Sequence, residues 1–472
     1  MRKVKILCTI GPATSGVDNL VKLIDRGMNA ARLNFSHGTH ESHLKTIKDI
    51  REAAKRTGKI IAVIQDLQGP KIRTGKVKDG AVILNDGADF IITVDDVEIG
   101  TAEKVGTTYK NLINEVHAGN TILLDDGYLI LSVVKVEGND IHTKVVKGGV
   151  LRDHKGIITP GVASDAPSLS EKDIEDLKFG LEAGVDMVAL SFVRSEKDVI
   201  ELRAMMKVLG RVVPIISKIE RYEGVEDIVD IINESDVIMI ARGDLGLEMP
   251  AEQVPVLQKE IIKKCNYYGK PVIIATQMLE SMISNPRPTR AEASDVANAV
   301  IDGGDCVMLS GETSIGKYPF EAVEYMNKII NTVENKYLSD KGGYDREYHS
   351  QFIISESLGR SACVLADTIG AKAIVTITGS GYTAMNISKF KPVQPVIAFT
   401  RNTEAAHFFS IVRGVIANSA EKSNDVTDIY EEASHYLLDY DFIEKGDYVI
   451  FVAGLSAGKL MPENMIKIYQ IQ

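Results

Sequence analysis

From the N-terminus onward, short apolar runs ending in polar residues alternate with segments whose apolar positions return every three or four residues. Val4 to Thr9 predicts a strand, and Val17, Leu20, Val21 and Ile24 predict a helix over Val17 to Asp25. Ala30 to Asn34 predicts the next strand, His43 to Arg56 a helix, and Ile60 to Gln65 a third strand with Asp66 at its end. The pattern resumes at residue 168: Ser168 with Glu171 forms a capping box for a helix over 170 to 183, then strand Met187 to Ser191 and a helix over 195 to 209 follow. Ile215 to Glu220 is a buried strand that ends in one cation and one anion. After an intervening helix, Val237 to Ala241 is another, ending in Arg242, Gly243, Asp244, Leu245 and Gly246. A helix over 252 to 268, strand Val272 to Thr276, a helix over 289 to 302, strand Cys306 to Ser310 and a helix over Pro319 to Lys336 complete the run. Three strands before the break and five after it predict a TIM barrel of the (β/α)8 type, interrupted after its third strand.

Between the two barrel segments the period changes. Asp79-Gly80, Asp86-Gly87, Asp126-Gly127, Gly138-Asn139 and Gly148-Gly149 are turn signals separating the β-rich runs Asp89 to Val94, Thr121 to Leu124, Tyr128 to Val136 and Ile141 to Val146. These predict a small all-β domain inserted at a strand's carboxyl end, where it can act as a lid. Beyond a polar link at Ser339 to Asp345, helix 353 to 369, strands Ala373 to Ile377, Val396 to Thr400 and Gly414 to Ala417, helix 424 to 439 and strand Tyr448 to Val452 predict a separate α/β domain. The expected organisation is a first barrel segment over 1–69, the lid over 70–167, a second barrel segment over 168–338 and a C-terminal α/β regulatory domain over 346–472.

Composition narrows the function classes. A net charge of −11, with no basic cluster to offset it, argues against nucleic acid as a partner. No apolar window is long enough for a membrane span and the N-terminus carries no signal core, so a cytoplasmic protein is expected. Cys8, Cys265, Cys306 and Cys363 are far apart in apolar or helical contexts, which predicts buried reduced thiols.

In parallel barrels chemistry sits at the carboxyl ends of the strands. Glu220 and Asp244 lie at two such ends and could hold Mg²⁺ through hard oxygen ligands, with Lys218 beside them; an ordinary ion-paired strand end is the plainer alternative. Arg32, Asn34, Ser36, His37 and Asp66 share the rim, as ligands or as loop-stabilising groups. Lys155, near the lid's return, is either an anion contact or a solvated loop lysine. Thr378-Gly379-Ser380-Gly381-Tyr382-Thr383 offers hydroxyls and amides to a phosphate, or is a turn with a helix cap.

Several longer motifs resemble pyruvate kinase: Cys-Thr-Ile-Gly-Pro-Ala-Thr at 8–14, Arg-Leu-Asn-Phe-Ser-His-Gly at 32–38, Asp66 with Gly-Pro-x-Ile-Arg-Thr-Gly at 69–75, and Ser-Lys-Ile-Glu at 217–220. Ala-Arg-Gly-Asp-Leu-Gly at 241–246, Ala-Thr-Gln-Met-Leu-Glu-Ser-Met at 275–282 and Asn-Pro-Arg-Pro-Thr-Arg-Ala-Glu at 285–292 belong to the same resemblance, which covers the chain in family order. It implies phosphoryl transfer from phosphoenolpyruvate to ADP, giving pyruvate and ATP in the last step of glycolysis. It also implies Arg32 and Arg73 on the transferred phosphate, Lys218 on the charge that develops there, and Glu220 and Asp244 on Mg²⁺ or Mn²⁺. The amides of Gly243 and Asp244 are implied for the substrate carboxylate, Thr276 for proton delivery, and Asn34, His37, Arg73 and Lys155 for the nucleotide. Relatives hold K⁺ with groups matching Asn34, Ser36, Asp66 and the carbonyl of Leu67. Here Lys71 stands where they have Glu, so the expectation is that K⁺ is not required and Lys71 substitutes for it.

A second departure is Ile158, where the family usually has Asn. The loop holding Thr378, Ser380, Gly381 and Thr383 resembles an effector-phosphate loop, for which a sugar phosphate or AMP is expected; the facing segment 454–459 carries one cation. A homotetramer is the family's usual state. Two rival readings are an Mg²⁺-dependent aldolase barrel, which would not need Arg32, Arg73 and Lys218 to converge, and a sensor that keeps only the C-terminal loop.

Overall fold

The computed structural model describes residues 1–163, 165–337, 353–419, 426–439, 443–453 and 465–472. The expected link at Ser339 to Asp345 and the segment 454–459 lie outside the described residues.

Eight parallel strands close into a barrel: Lys5–Thr9, Ala30–Asn34, Ala62–Asp66, Met187–Leu190, Ile215–Ile219, Val237–Ala241, Val272–Ala275 and Cys306–Leu309. Each strand is buried on both faces, which is why its residues read as continuous apolar runs and not as an alternation. Every second side chain nonetheless points into the lumen. Leu7, Ala30, Ala62, Ile64, Met187, Ala189, Ile216, Val237, Met239, Ile273, Ala275, Cys306 and Met308 fill it, and Ile411 of the C-terminal domain packs against them. The outward residues join the helices in a second cluster containing Ile6, Val63, Val188, Ile215, Ile219 and Ile240. Continuing the inward period of two past each apolar layer reaches Thr9, Arg32, Asp66, Ser191 and Lys218, so the polar layer at the barrel mouth follows from strand geometry.

The boundaries shift slightly from those the sequence predicts, and each shift has a local cause. The second helix starts early, at His40, because Thr39 caps it by accepting the Ser42 amide. The helix over Glu171–Ala183 is capped by Ser170 with Asp173, not by Ser168 with Glu171; the Ser168 hydroxyl donates to Glu201 Oε2 at 2.6 Å instead. Two short helices, Tyr222–Glu226 and Ile228–Glu234, replace the single one expected after Glu220.

The inserted unit has its own core of Phe90, Ile92, Ile122, Leu124, Leu129, Leu131 and Ile141 among others. Six strands form its main sheet, in the order Ile157–Ile158, Thr121–Leu124, Leu129–Glu137, Asp140–Lys147, Asp89–Thr93, Lys104–Gly106; Gly149–Arg152 pairs with Ala81–Leu84 beside it. The strands at 81–84, 104–106, 149–152 and 157–158 were not among those expected from the sequence. The entering and leaving segments pair antiparallel at the neck: Thr74 N–H donates to Lys155 O at 2.8 Å and Ile157 N–H to Ile72 O at 2.9 Å.

The C-terminal sheet runs Val415–Ser419, Val396–Thr400, Ala373–Ile377, Tyr448–Ala453, Met465–Gln470, the last strand antiparallel at the edge. The helix expected after the Thr378 loop is Tyr382–Ser388, while the edge strand and the helix Thr403–Phe408 add to the elements expected from sequence. The four cysteines are free and buried, and burial pushes each thiol well above its ordinary value. No helix among the described residues is long and apolar enough to cross a membrane.

Candidate active site

Strand register brings the mouth residues together. Thr9 lies beside Arg32 on adjacent strands, and Arg32 Nη1 donates to Thr9 Oγ1 at 3.0 Å. Asp66 ends the next strand and accepts from Arg32 Nε at 2.5 Å. On the far side of Asp66, Lys218 Nζ stands 3.3 Å from Asp66 Oδ1, 3.0 Å from Glu220 Oε1 and 2.7 Å from Ser191 Oγ. Two cations therefore flank one carboxylate that is 1 % exposed.

The electrostatics follow from that geometry. Burial alone would raise the Asp66 carboxyl, but Lys218 and Arg32 outweigh it and hold the group below its usual range. Burial likewise opposes the charge on Lys218; Asp66 and Glu220 overcome it, leaving the ammonium more basic than an ordinary lysine. Glu220 is raised, first by burial and then by Asp244, with Lys218 and the Phe192 amide, which donates to Oε2 at 2.8 Å, pulling the other way.

Glu220 and Asp244 line one cavity together with Lys71, Ile72, Gly156, Arg194, Arg221 and Glu248. A buried carboxylate whose proton is favoured by a second carboxylate is a site that a hard divalent cation would relieve. The donor set suits Mg²⁺ or Mn²⁺: Glu220 and Asp244 offer hard carboxylate oxygens and leave coordination positions for substrate and water.

Thr276 follows Ala275, which pairs with Ala241 in the neighbouring strand. Its hydroxyl accepts from the Gly243 amide at 2.7 Å, and it adopts φ +66°, a conformation in which a β-branched residue is an outlier. Phe192, whose amide meets Glu220, has φ +58°. Arg242 holds the Thr276 loop in place, donating to Thr276 O at 2.9 Å and pairing with Asp295 at 2.7 Å.

The remaining sequence-predicted residues are distributed as follows. Arg73 sits in the lid neck and donates from Nη1 to His154 O at 3.0 Å. Lys155 is paired with Asp125 of the lid at 2.8 Å, so it is not a plainly solvated lysine. Asn34 Oδ1 accepts the Ser36 amide at 3.1 Å, while His37 is exposed with its carbonyl held by His43. Leu67 is buried and its carbonyl accepts from Ser191 Oγ at 2.8 Å. Lys71 lies in the cavity of Glu220 and Asp244, with its Cε against Gly156, and Asn34, Ser36, Asp66 and Leu67 do not line that cavity. In the C-terminal loop, Thr378 Oγ1 accepts the Gly381 amide at 2.9 Å and Ser380 Oγ the Tyr382 amide at 3.4 Å; Thr383 is buried. These two amides are already capped within the loop.

Ser191, Phe192, Arg221 and Glu248 were not singled out from sequence. Ser191 could have been, since it ends a predicted strand at the same rim as Lys218.

The pyruvate kinase barrel-domain family matches residues 1–323, and the pyruvate kinase alpha/beta-domain family matches 356–469. The chain is 46 % identical over 474 residues to a pyruvate kinase of Bacillus licheniformis, covering 100 % of this chain and 81 % of that protein. It is 46 % identical over 473 residues to one of Geobacillus stearothermophilus, covering 100 % and 80 %. Among solved structures it resembles a pyruvate kinase from Cryptosporidium parvum, with TM-score 0.94, 40 % identity and coverage of 100 % of this chain and 96 % of that one.

Proposed function

The chain belongs to the pyruvate kinase family and is a phosphotransferase, and we propose that it transfers the phosphoryl group of phosphoenolpyruvate to ADP, giving pyruvate and ATP as a step of glycolysis. The observation that carries this reading is the placement of Lys218 at the lumen mouth, among Asp66, Ser191 and Glu220 and on the same carboxylate as Arg32. Phosphoryl transfer asks a protein mainly for positioning and for fixed charge where charge develops. Arg32 and Arg73 are proposed to bind the transferring phosphate, and Lys218 to stabilise its equatorial oxygens in the transition state. A divalent cation, Mg²⁺ or Mn²⁺, would be held by Glu220 and Asp244, and when bound it supplies compensation for substrate negative charge.

The Asp244 amide is proposed for the substrate carboxylate, joined by Gly243 when Thr276 turns its hydroxyl toward the enolate to help deliver a proton. Asn34, His37, Arg73 and Lys155 are proposed for the nucleotide, with Lys155 exchanging Asp125 for a phosphate. Supporting this, the lid lies over the site: at Gly127, where φ is +81°, an added Cβ would stand 3.3 Å from Leu247 in the helix that carries Asp244.

Independence from K⁺ is proposed on the charge of Lys71, an ammonium that lies in the cavity of Glu220 and Asp244 and not among the proposed monovalent-ion groups. Of the proposed monovalent groups, three already accept from protein donors: Asn34 from the Ser36 amide, Asp66 from Arg32 and Lys218, and the Leu67 carbonyl from Ser191. Regulation through the loop of Thr378, Ser380, Gly381 and Thr383 by a sugar phosphate or AMP is the proposed use of the C-terminal domain, in a cytoplasmic homotetramer.

A lactate-dehydrogenase-coupled assay with phosphoenolpyruvate, ADP and Mg²⁺ tests the reaction. Loss of NADH absorbance that requires all three additions supports it; no turnover under any divalent ion refutes it.

A further inference from the structure

Arg221 and Glu248 each touch both the candidate metal site and the lid. Arg221 immediately follows Glu220, and Glu248 lies one helical turn beyond Asp244, at the end of helix Arg242–Glu248. Their side chains are 11 % and 5 % exposed, and both line the cavity of the two carboxylates. Arg221 Nη2 donates to Val162 O, in the segment by which the lid returns to the barrel, at 2.9 Å. The same guanidinium binds Glu223 at 3.2 and 3.1 Å and stands 3.6 Å from Glu248 Oε1. Glu248 pairs with Arg221 and feels the Gly161 amide, which favours its charged form, while its Oε2 is buried without a hydrogen-bond partner.

The lid-return chain is thus bonded at Val162 to Arg221, and Arg221 in turn pairs with Glu248, so one guanidinium links the lid return to the two elements that carry Glu220 and Asp244. An ion pair at the surface contributes little, because solvent screens it and ordering its side chains costs entropy. This one is enclosed, so removing either partner strands the other in a poorly solvated place. Two carboxylates held close in the absence of a cation repel one another, and the backbones beneath them must be fixed from outside the pair. Groups behind a metal's ligands commonly do this.

We propose that Arg221 and Glu248 are positioning residues for the divalent site: by docking Gly161 and Val162 of the lid return they fix the spacing of Glu220 and Asp244 and couple lid placement to assembly of the site. The inference rests on the reading of Glu220 and Asp244 as the metal-bearing pair.

The test is Mn²⁺ binding at pH 8 and matched ionic strength, followed by the electron paramagnetic resonance of free Mn²⁺, for the full-length protein and for Glu220→Gln, Arg221→Met, Arg221→Lys and Glu248→Gln. The expectation is that Arg221→Met and Glu248→Gln each weaken Mn²⁺ binding by about 10- to 100-fold. Arg221→Lys should recover only part of it, because an ammonium lacks the fork needed for Val162, Glu223 and Glu248 together. The Mg²⁺ concentration for half-maximal activity should rise in parallel, and hydrogen exchange at Gly161 and Val162 should speed up. If Glu220→Gln loses Mn²⁺ while Arg221→Met and Glu248→Gln stay within twofold of wild type, the inference is overturned. If Glu220→Gln binds as wild type does, the reading of the metal pair itself fails. Should Arg221→Met not fold, Glu248→Gln, which keeps the side chain's shape, decides alone.

Discussion

The Thr276 hydroxyl accepts the amide hydrogen of Gly243 at 2.7 Å, across two neighbouring strand ends, from a backbone held at φ +66°. The amide proposed for the substrate carboxylate is therefore occupied by the residue proposed to deliver the proton, and the two uses exclude one another until the hydroxyl turns. Thr276→Val removes the hydroxyl and frees the amide. It should lower kcat by about 10²-fold or more, in the range for a lost acid-base group, while the KM for phosphoenolpyruvate changes little. Steady-state kinetics check this; a kcat within a few-fold of wild type removes Thr276 from proton delivery.

Lys218→Met should lower kcat by at least ~10²-fold, since a fixed cation matters most where transition-state charge develops. Arg32 still balances Asp66 in this variant, and a bound divalent ion still balances Glu220. Mn²⁺ and phosphoenolpyruvate binding should therefore persist, as titration calorimetry would show. Near-normal turnover would exclude the assigned role.

Burial pushes the Glu248 carboxyl up to about 7, with Glu223 and Asp244 adding to it and Arg221 and the Gly161 amide opposing. Its folded-state value thus lies above its ordinary value of 4.5. The stabilisation that comes from keeping this proton is complete below about pH 4.5 and is lost as the pH rises through 7, to a limit of about 3 kcal/mol. Glu248→Gln has no such proton to lose. In EDTA, the thermal midpoint of wild type minus that of the variant should fall between pH 5 and pH 8. A difference that does not change with pH would mean that Glu248 ionises as an ordinary carboxylate.

Wild-type activity should be nearly equal in potassium and tetramethylammonium buffers at matched ionic strength. Lys71→Glu places a fourth acid in the cavity of Glu220, Asp244 and Glu248, and its activity should depend on K⁺. Strong activation of the wild type by K⁺ would refute the proposed substitution.

In the C-terminal loop, Ser380→Asp and Thr383→Asp add negative charge where a phosphate is proposed. Both should abolish any shift that a sugar phosphate or AMP causes in the phosphoenolpyruvate saturation curve, with unliganded kinetics unchanged. If no such compound binds by calorimetry, the Thr378 and Ser380 hydroxyls serve only as the caps seen at Gly381 and Tyr382.

The barrel and its interruption were legible in the sequence because a strand buried on both faces must be apolar throughout, and a helix on its surface must repeat every three or four residues. Lys218, Glu220 and Asp244 stood out as charges at the ends of such runs, and their motifs resembled one family. Partner choice was not legible. Ser168 has the spacing of a capping box, yet its hydroxyl goes to Glu201, 33 residues away, and Ser170 takes the cap. Lys155 meets Asp125 only because the lid folds its turn against its neck. Arg221 and Glu248 were not singled out in the sequence, and it is tertiary packing that buries them under the lid return. Period and propensity are properties of neighbours in the chain, so sequence alone determined the elements and their order. Which charge is buried, and against what, depends on distances between residues far apart in the chain, and those only the closed barrel and its docked lid decided.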